Sequence, residues 1–429
     1  MRNFVAKSKG AKDSVVMVVG NTLAISMSAV GIMVISRFLG PEKFGVFSVG
    51  FALTLLLSRI NDLGLTMTQM KYIPKAVDDK VRNRIFSWVV KSKMVMYLAI
   101  VVAGILVVPW LNGFLNFSNI NVLYAAFFFS FATLAFEQLA AMLQSLKKVK
   151  ESVYATAVQG FVKMVGALGL WWGGTTSVMA AFAAYTLAPL FTLLGVKKWL
   201  PKWISVGLRG NYTTERKLMW VMAGSSMINY VSISMMDNLD VLFVQRYLSS
   251  LETGWYGGVS RIALFLTMAA YSLAAVLNPR VAKYTKKHDL DAFIKKALLL
   301  AVVSILSILV LIPLSRLVIF LTIGDAYLPA TTTLNVLLLA GLLTIASTPL
   351  AAIFFSFKGA EWYFSVAGIV QLVIIIGGNI LFVPVYGIEG AAWVRVVTKV
   401  TLIGLTLILA GWQYRRVYGE NKKSLEYRL

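Results

Sequence analysis

The residues of this chain that could do chemistry are charges set in apolar surroundings. The cations Arg59, Lys163, Arg261, Arg316, Arg395 and Lys399 and the acids Asp62, Glu137, Asp237 and Asp240 each stand within a long hydrophobic run. An ionisable group placed there costs about 2.5–3.5 kcal/mol on insertion scales and tends to face the inside of a helix bundle. Arg offers phosphate oxygens a planar fork, and Lys offers a point charge. Six cations against four acids form a net positive set, which suits a phosphate-bearing ligand. Arg395 and Lys399 share a helix face at i,i+4, where like charges repel, so a common anionic ligand or an acidic partner is expected there. Lys163 and Arg261 have no acid nearby in sequence and rank next.

Plainer roles compete at several positions. Arg59 and Asp62, three residues apart, can neutralise each other, and Arg316 near the end of its run can snorkel to the interface. Asp237 and Asp240 form an i,i+3 acid pair. With Glu137 they either carry protons or Na⁺ in a coupled cycle or act as fixed partners of Arg261 or Lys163. By position in their runs, Glu137 and Lys163 fall near mid-depth. Arg59 and Asp62 fall in the inner half, and Asp237, Asp240, Arg261 and Arg395 in the outer half.

Enzyme chemistry is argued against. The chain has no Cys and a single His, His288, in the loop KKHD. A His or Cys metal site, a His-based triad and thiol chemistry are therefore excluded. No phosphate-binding GxxxxGK[ST], GxSxG, HExxH or GxGxxG occurs, so no cofactor and no metal are expected.

The elements that must position these charges follow from composition. Hydrophobic residues make up 59% of the 429 and charged residues only 14%, with a mean hydropathy of +0.77. Soluble domains carry roughly 25% charge, so lipid must be the solvent of this chain. Apolar runs recur over 14–36, 44–68, 86–111, 119–146, 152–173, 176–196, 216–245, 253–279, 292–322, 331–357, 362–383 and 388–414. Each suffices for a helix crossing a core about 30 Å thick, and barrel-type alternation is lacking. The expected fold is an all-α polytopic membrane protein with about 12 transmembrane helices. The basic N-terminus precedes a run of about 22 residues, longer than a signal-peptide core, and reads as a retained first helix.

Loop charge sets the orientation. With the N-terminus inside, 32 of the 41 Lys and Arg fall on inward segments and the inner ends of the runs beside them, and only Arg37, Lys43 and Arg246 on outward loops. That bias places both termini in the cytoplasm. The net charge of +23 then reports topology and attraction to anionic inner-leaflet lipid, about 1 kcal/mol per residue near the surface, and not nucleic acid. Outward loops are too short to house the machinery of a membrane glycosyltransferase.

The two halves repeat. RFLGPEKFGVF from Arg37 aligns with RYLSSLETGWY from Arg246, with Gly45 matching Gly254, and MAAFAAY from Met179 aligns with GAAWVRV from Gly390. An even number of spans per copy makes the repeat parallel, giving lobes 1–210 and 211–429 around a central cavity. The charges do not follow it, since Lys163 corresponds to Ile374 and Arg261 to Ala52. Arg37, Gly40, Pro41 and Gly45 read as a tight external turn with a structural or hinge role.

The segment R37-F-L-G-P-E-K-F-G-V-F-S, followed by D62-L-G-L and a basic loop, resembles Wzx-type polysaccharide flippases of the multidrug/oligosaccharidyl-lipid/polysaccharide (MOP) exporter superfamily. NLDVLFVQRYLSSLETGWYGGVSRI, from Asn238 to Ile262, resembles the start of that family's second lobe. The resemblance implies translocation of an oligosaccharide on undecaprenyl pyrophosphate from the cytoplasmic to the outer leaflet of the inner membrane by alternating access. It implies other polysaccharide-assembly membrane proteins as partners. The rivals are a drug/cation antiporter of the same superfamily, which would lead its cavity with acids and aromatics, and a passive lipid scramblase.

Overall fold

The structure, a computed structural model, describes residues 2–76, 78–196, 199, 232, 234–284, 287–357 and 362–419. Among them every regular element is helical. In chain order they are α1 (Arg2–Asp62), α2 (Leu65–Tyr72), α3 (Asp79–Phe114), α4 (Ile120–Ser145), α5 (Val149–Trp172) and α6 (Val178–Val196). There follow α7 (described over 234–247), α8 (Ser250–Val281), α9 (Lys287–Leu306), α10 (Ile308–Thr322), α11 (Thr331–Ala352) and α12 (Trp362–Gly419).

Nine helical runs among the described residues are long and apolar enough to cross a membrane. Two of them must cross twice. The apolar part of α1, Gly20–Asp62, has 43 residues and would measure about 65 Å if straight, twice a bilayer core. It breaks at Gly40 (φ 71, ψ 169), followed by Pro41. Glycine adopts the positive φ without a Cβ clash, and proline suits the first position of the helix that resumes. The 57-residue apolar run of α12 breaks in the same way at Gly387 (φ 61, ψ −144), three residues after Pro384. Helices α9 and α10 meet at Ser307 and form one run, Lys287–Thr322. With the two double crossings the described residues hold eleven of the expected spans, in keeping with about twelve, and the expected run 216–245 lies mostly outside the described residues.

One boundary differs from the sequence expectation. The run 44–68 does not continue as one helix, because Leu63 (φ 49) and Gly64 (φ 72) turn left-handed and end α1 at Asp62. Composition stays apolar through this point, so hydropathy carries no sign of the break. The short α2 restarts at Leu65 and gives way to a 3₁₀ turn containing Pro74.

The chain divides into two units, Met1–Gly254 and Trp255–Leu429. In the first, Phe47 and Phe51 of α1 meet Phe182 and Tyr185 of α6 edge to face, at centroid distances of 5.3–6.1 Å. The first half of α1 lies directly on α5: a Cβ at Gly31 would stand 3.1 Å from the Lys163 carbonyl oxygen, and one at Gly160 would strike the Ala24 carbonyl. The Gly40 turn is held against the start of α8, since side chains at Gly45 or Gly254 would strike the Ser250 and Pro41 carbonyls respectively.

In the second unit α11 is the central helix, with Leu334, Leu337, Leu342, Ala346 and Leu350 all buried. A helix apolar all round belongs in such a core. Phe354 stacks on Tyr363 at 3.7 Å beside Leu290 and Ala410. The faces of α3 and α10 show the opposite, with Leu98, Val102, Leu106, Leu309 and Val310 exposed. On a chain of this hydropathy these are lipid-facing.

Candidate functional site

The charges of the first unit gather around the α1–α2 break. Arg59 and Asp62 sit in the last turn of α1, and each reaches across to another helix. Arg59 grips Glu137 of α4 with both guanidinium nitrogens, Nη2 to Oε1 at 2.9 Å and Nη1 to Oε2 at 3.0 Å. This bidentate geometry is the strong form of a charge-assisted pair. Asp62 Oδ1 takes the Lys93 ammonium of α3 at 2.5 Å, with the two side chains 2% and 3% exposed. Thr66 of α2 closes the group: its hydroxyl donates to Asp62 Oδ1 and accepts from Lys93 Nζ at 2.7 Å. Below it, Gln138 Nε2 of α4 donates to Gln69 Oε1 of α2.

Lys163 stands apart from these pairs. Its ammonium lies over the Tyr185 ring, 4.7 Å from the centroid, while the Tyr185 hydroxyl donates to the Ser28 carbonyl at 3.0 Å. Among the described residues no carboxylate lies within ion-pair distance of it. Glu137 acts on both Lys163 and Lys93 through its field, so Arg59, Asp62, Lys93, Glu137 and Lys163 form one electrostatic neighbourhood built from four helices. Both acids of that neighbourhood are committed to other cations. Lys163 is held by a ring, which attracts a cation without cancelling its charge.

In the second unit the cations gather on α12. Lys399 Nζ donates to Gln371 Oε1 at 3.4 Å, and Gln371 Nε2 donates to the Ala367 carbonyl at 3.1 Å. Arg395, one turn earlier, is half-buried, as is Arg261 of α8, and Arg316 of α10 is exposed. Helix α12 also buries Asn379 and Thr398. In α7 Asp240 is buried, its carboxylate accepting from the Val241 amide at 2.9 Å, and Asp237 is half-buried. At the Gly40 turn Arg37 is exposed and Gly45 buried.

Lys93 was not among the expected site residues, because it reads as part of the inner basic flank. The signal lies in the periodicity. Phe86, Val89, Lys93, Ile100, Gly104 and Val108 form the buried stripe of α3, and a lysine in phase with such a stripe needs a buried partner. Gln69, Gln138 and Gln371 carry no charge, so a search for ionisable residues within the runs does not reach them.

A family model described as "Polysaccharide biosynthesis protein" matches residues 11–285. The chain belongs to that family. The structure resembles an inward-facing multidrug resistance MATE family transporter of the MOP superfamily at 15% identity, covering 96% of this chain and 99% of that one with a TM-score of 0.76. It resembles the lipid II flippase MurJ in an inward closed conformation at 14% identity, covering 94% and 87%, TM-score 0.71. A MOP superfamily transporter from Pyrococcus furiosus, described as having a binding pocket of reversed polarity, matches at 15% identity over 95% of each chain, TM-score 0.61. No curated protein sequence matches. At these identities the likeness shows the fold, and this member of the polysaccharide biosynthesis family is a multi-pass membrane protein with the MOP architecture.

Proposed function

We propose that this chain translocates a polyprenyl-pyrophosphate-linked oligosaccharide from the cytoplasmic to the outer leaflet of the inner membrane, by alternating access of its two six-helix halves. The observation that carries this reading is the state of Lys163. Its neighbourhood has already matched Asp62 with Lys93 and Glu137 with Arg59, and the Lys163 amine lies over a ring at mid-span with no carboxylate at ion-pair distance among the described residues. A diphosphate head group is the ligand such a charge suits. Arg261, Arg395 and Lys399 place three further cations in the helices of the second unit, and the family's description supports a saccharide-bearing substrate. The roles assigned are head-group binding for Lys163, Arg261, Arg395 and Lys399, and pair formation for Arg59 and Glu137. Transport, not bond-making, is the activity.

The drug/cation antiporter shares the architecture but needs acids turned toward its ligand, and the two acids near Lys163 are already bound by cations. Reconstitution in proteoliposomes distinguishes the readings. Leaflet exchange of a polyprenyl-pyrophosphate oligosaccharide, with no export of an ethidium-like cation, is the expected result. Dye export without lipid exchange assigns the protein to drug transport. Exchange of any phospholipid regardless of head group makes it a passive scramblase.

A further inference from the structure

The side chain of Arg246 reaches from the end of α7 to the end of α3. Its guanidinium carbon lies 4.8 Å from the centroid of Phe114, and Phe114 in turn stacks on Trp110 at 5.3 Å with the ring planes 12° apart. The chain turns immediately after Phe114 and fixes it in place. Leu115 and Phe117 are buried, and the Phe117 amide donates to the Asn112 carbonyl at 3.1 Å. A guanidinium stacked on a ring keeps its in-plane N–H donors open to a ligand, and the ring does not cancel its charge.

Acids leave this cation to a ligand. The sequence from Lys80 to Phe136, which holds nearly all of α3 and most of α4, contains no Asp or Glu. On the chain either side of Arg246, Asp240 accepts from the Val241 amide, and Glu252 accepts from the Ser249 amide and hydroxyl. Among the described residues no carboxylate lies at ion-pair distance from Arg246. Beneath it runs an apolar face. Val95, Leu98, Val102, Leu106, Trp110 and Phe114 recur every three or four residues along α3, and all are exposed. Residues so spaced share one side of a helix. From Val95 to Phe114 that side measures about 28 Å at 1.5 Å per residue, close to the depth of a bilayer core. A phospholipid acyl chain reaches through its own leaflet, half that depth, whereas a polyprenyl chain is long enough to follow the whole face.

We propose that this face of α3, headed by Arg246, is a docking site for a polyprenyl diphosphate. The diphosphate takes the Arg246 guanidinium, and the tail lies along the face toward Val95. The site is separate from Lys163, which stands on α5. It lies at the end of the unit that carries the Gly40 turn, because Pro41 and Gly45 meet Ser250 and Gly254 just beyond Arg246. Loop charge assigns that end to the outside, so the site would hold the lipid carrier after it has crossed. Only that place in the cycle rests on the transport reading above; the binding does not.

The test is therefore a binding measurement. Native mass spectrometry counts undecaprenyl diphosphate, a probe without saccharide, on the purified full chain in detergent, with folding checked by thermal unfolding. Wild type should bind two molecules and Arg246→Gln one, the lost site weakening about tenfold or more, as when a hydrogen bond to a charged group is removed. Arg246→Lys should fall between, since a point charge does not reproduce the planar fork. Trp110→Ala should weaken the same site and Trp110→Phe restore it, while Leu309→Ala, on the lipid-facing α10, should change nothing. Excess phosphatidylglycerol should leave the Arg246 site loaded. The inference is overturned if wild type binds no probe, if Arg246→Gln binds like wild type, or if phosphatidylglycerol empties the site. Loss in Arg246→Gln with none in Lys163→Gln upholds it and counts against the head-group role of Lys163. Failed leaflet exchange with intact binding likewise upholds it and counts against the transport reading.

Discussion

Lys163 and the Asp62–Lys93 pair illustrate two fates of a charge within a span. A buried pair is weak evidence of stability but expensive to halve: removal of one partner costs about 3–5 kcal/mol because the other charge is stranded. We therefore expect Lys93→Met or Asp62→Asn alone to lower thermal stability in detergent markedly, and the two together to recover most of the loss. Additive losses would show that the residues do not act as a pair. Arg59→Lys should weaken the contact with Glu137, since a point charge cannot reproduce the two parallel bonds at 2.9 and 3.0 Å. The sequence revealed which positions were charged but not which charges met. Arg59 and Asp62 looked like mutual partners at i,i+3, yet Glu137 and Lys93, 78 and 31 positions away, bind them. Such separations are invisible to helical spacing. Lys93 escaped notice because flank and span cannot be told apart by hydropathy alone.

At the level of elements, the spans among the described residues were legible because lipid demands about twenty apolar residues for each crossing. The turn at Gly40 was legible because Gly and Pro serve turn geometry for separate reasons. The Leu63–Gly64 break was not, since both residues are unremarkable in an apolar run and only their positive φ values separate α1 from α2. Glycines make the sharpest prediction at this scale. A Cβ at Gly254 would strike the Pro41 carbonyl and lie 3.1 Å from the Gly45 nitrogen, so the two glycines meet backbone to backbone. Gly254→Ala should destabilise by about 1–3 kcal/mol, the usual cost of overpacking. Gly404→Ala, with open space around its Cβ, should be neutral or stabilising by up to about 1 kcal/mol. Thermal unfolding monitored by tryptophan fluorescence compares the two, and equal effects would contradict the close approach.

At the scale of the whole molecule, the absence of Cys from the sequence makes orientation directly measurable with single-Cys reporters. Glu42→Cys, in the Gly40 turn, should react with an impermeant maleimide applied to intact cells. Lys80→Cys, in the first turn of α3, should react only after permeabilisation. The reverse pattern would overturn the orientation read from 32 inward and three outward basic residues. The central claim is that a positive charge at Lys163 binds a diphosphate head group, and its most direct measurement is leaflet exchange of a polyprenyl-pyrophosphate oligosaccharide by wild type, Lys163→Arg and Lys163→Gln in proteoliposomes. Near-normal exchange is expected with Arg and a loss of about tenfold or more with Gln, in keeping with about 1.5–3 kcal/mol for a hydrogen bond to a charged group. Equal rates for Gln and wild type would contradict it.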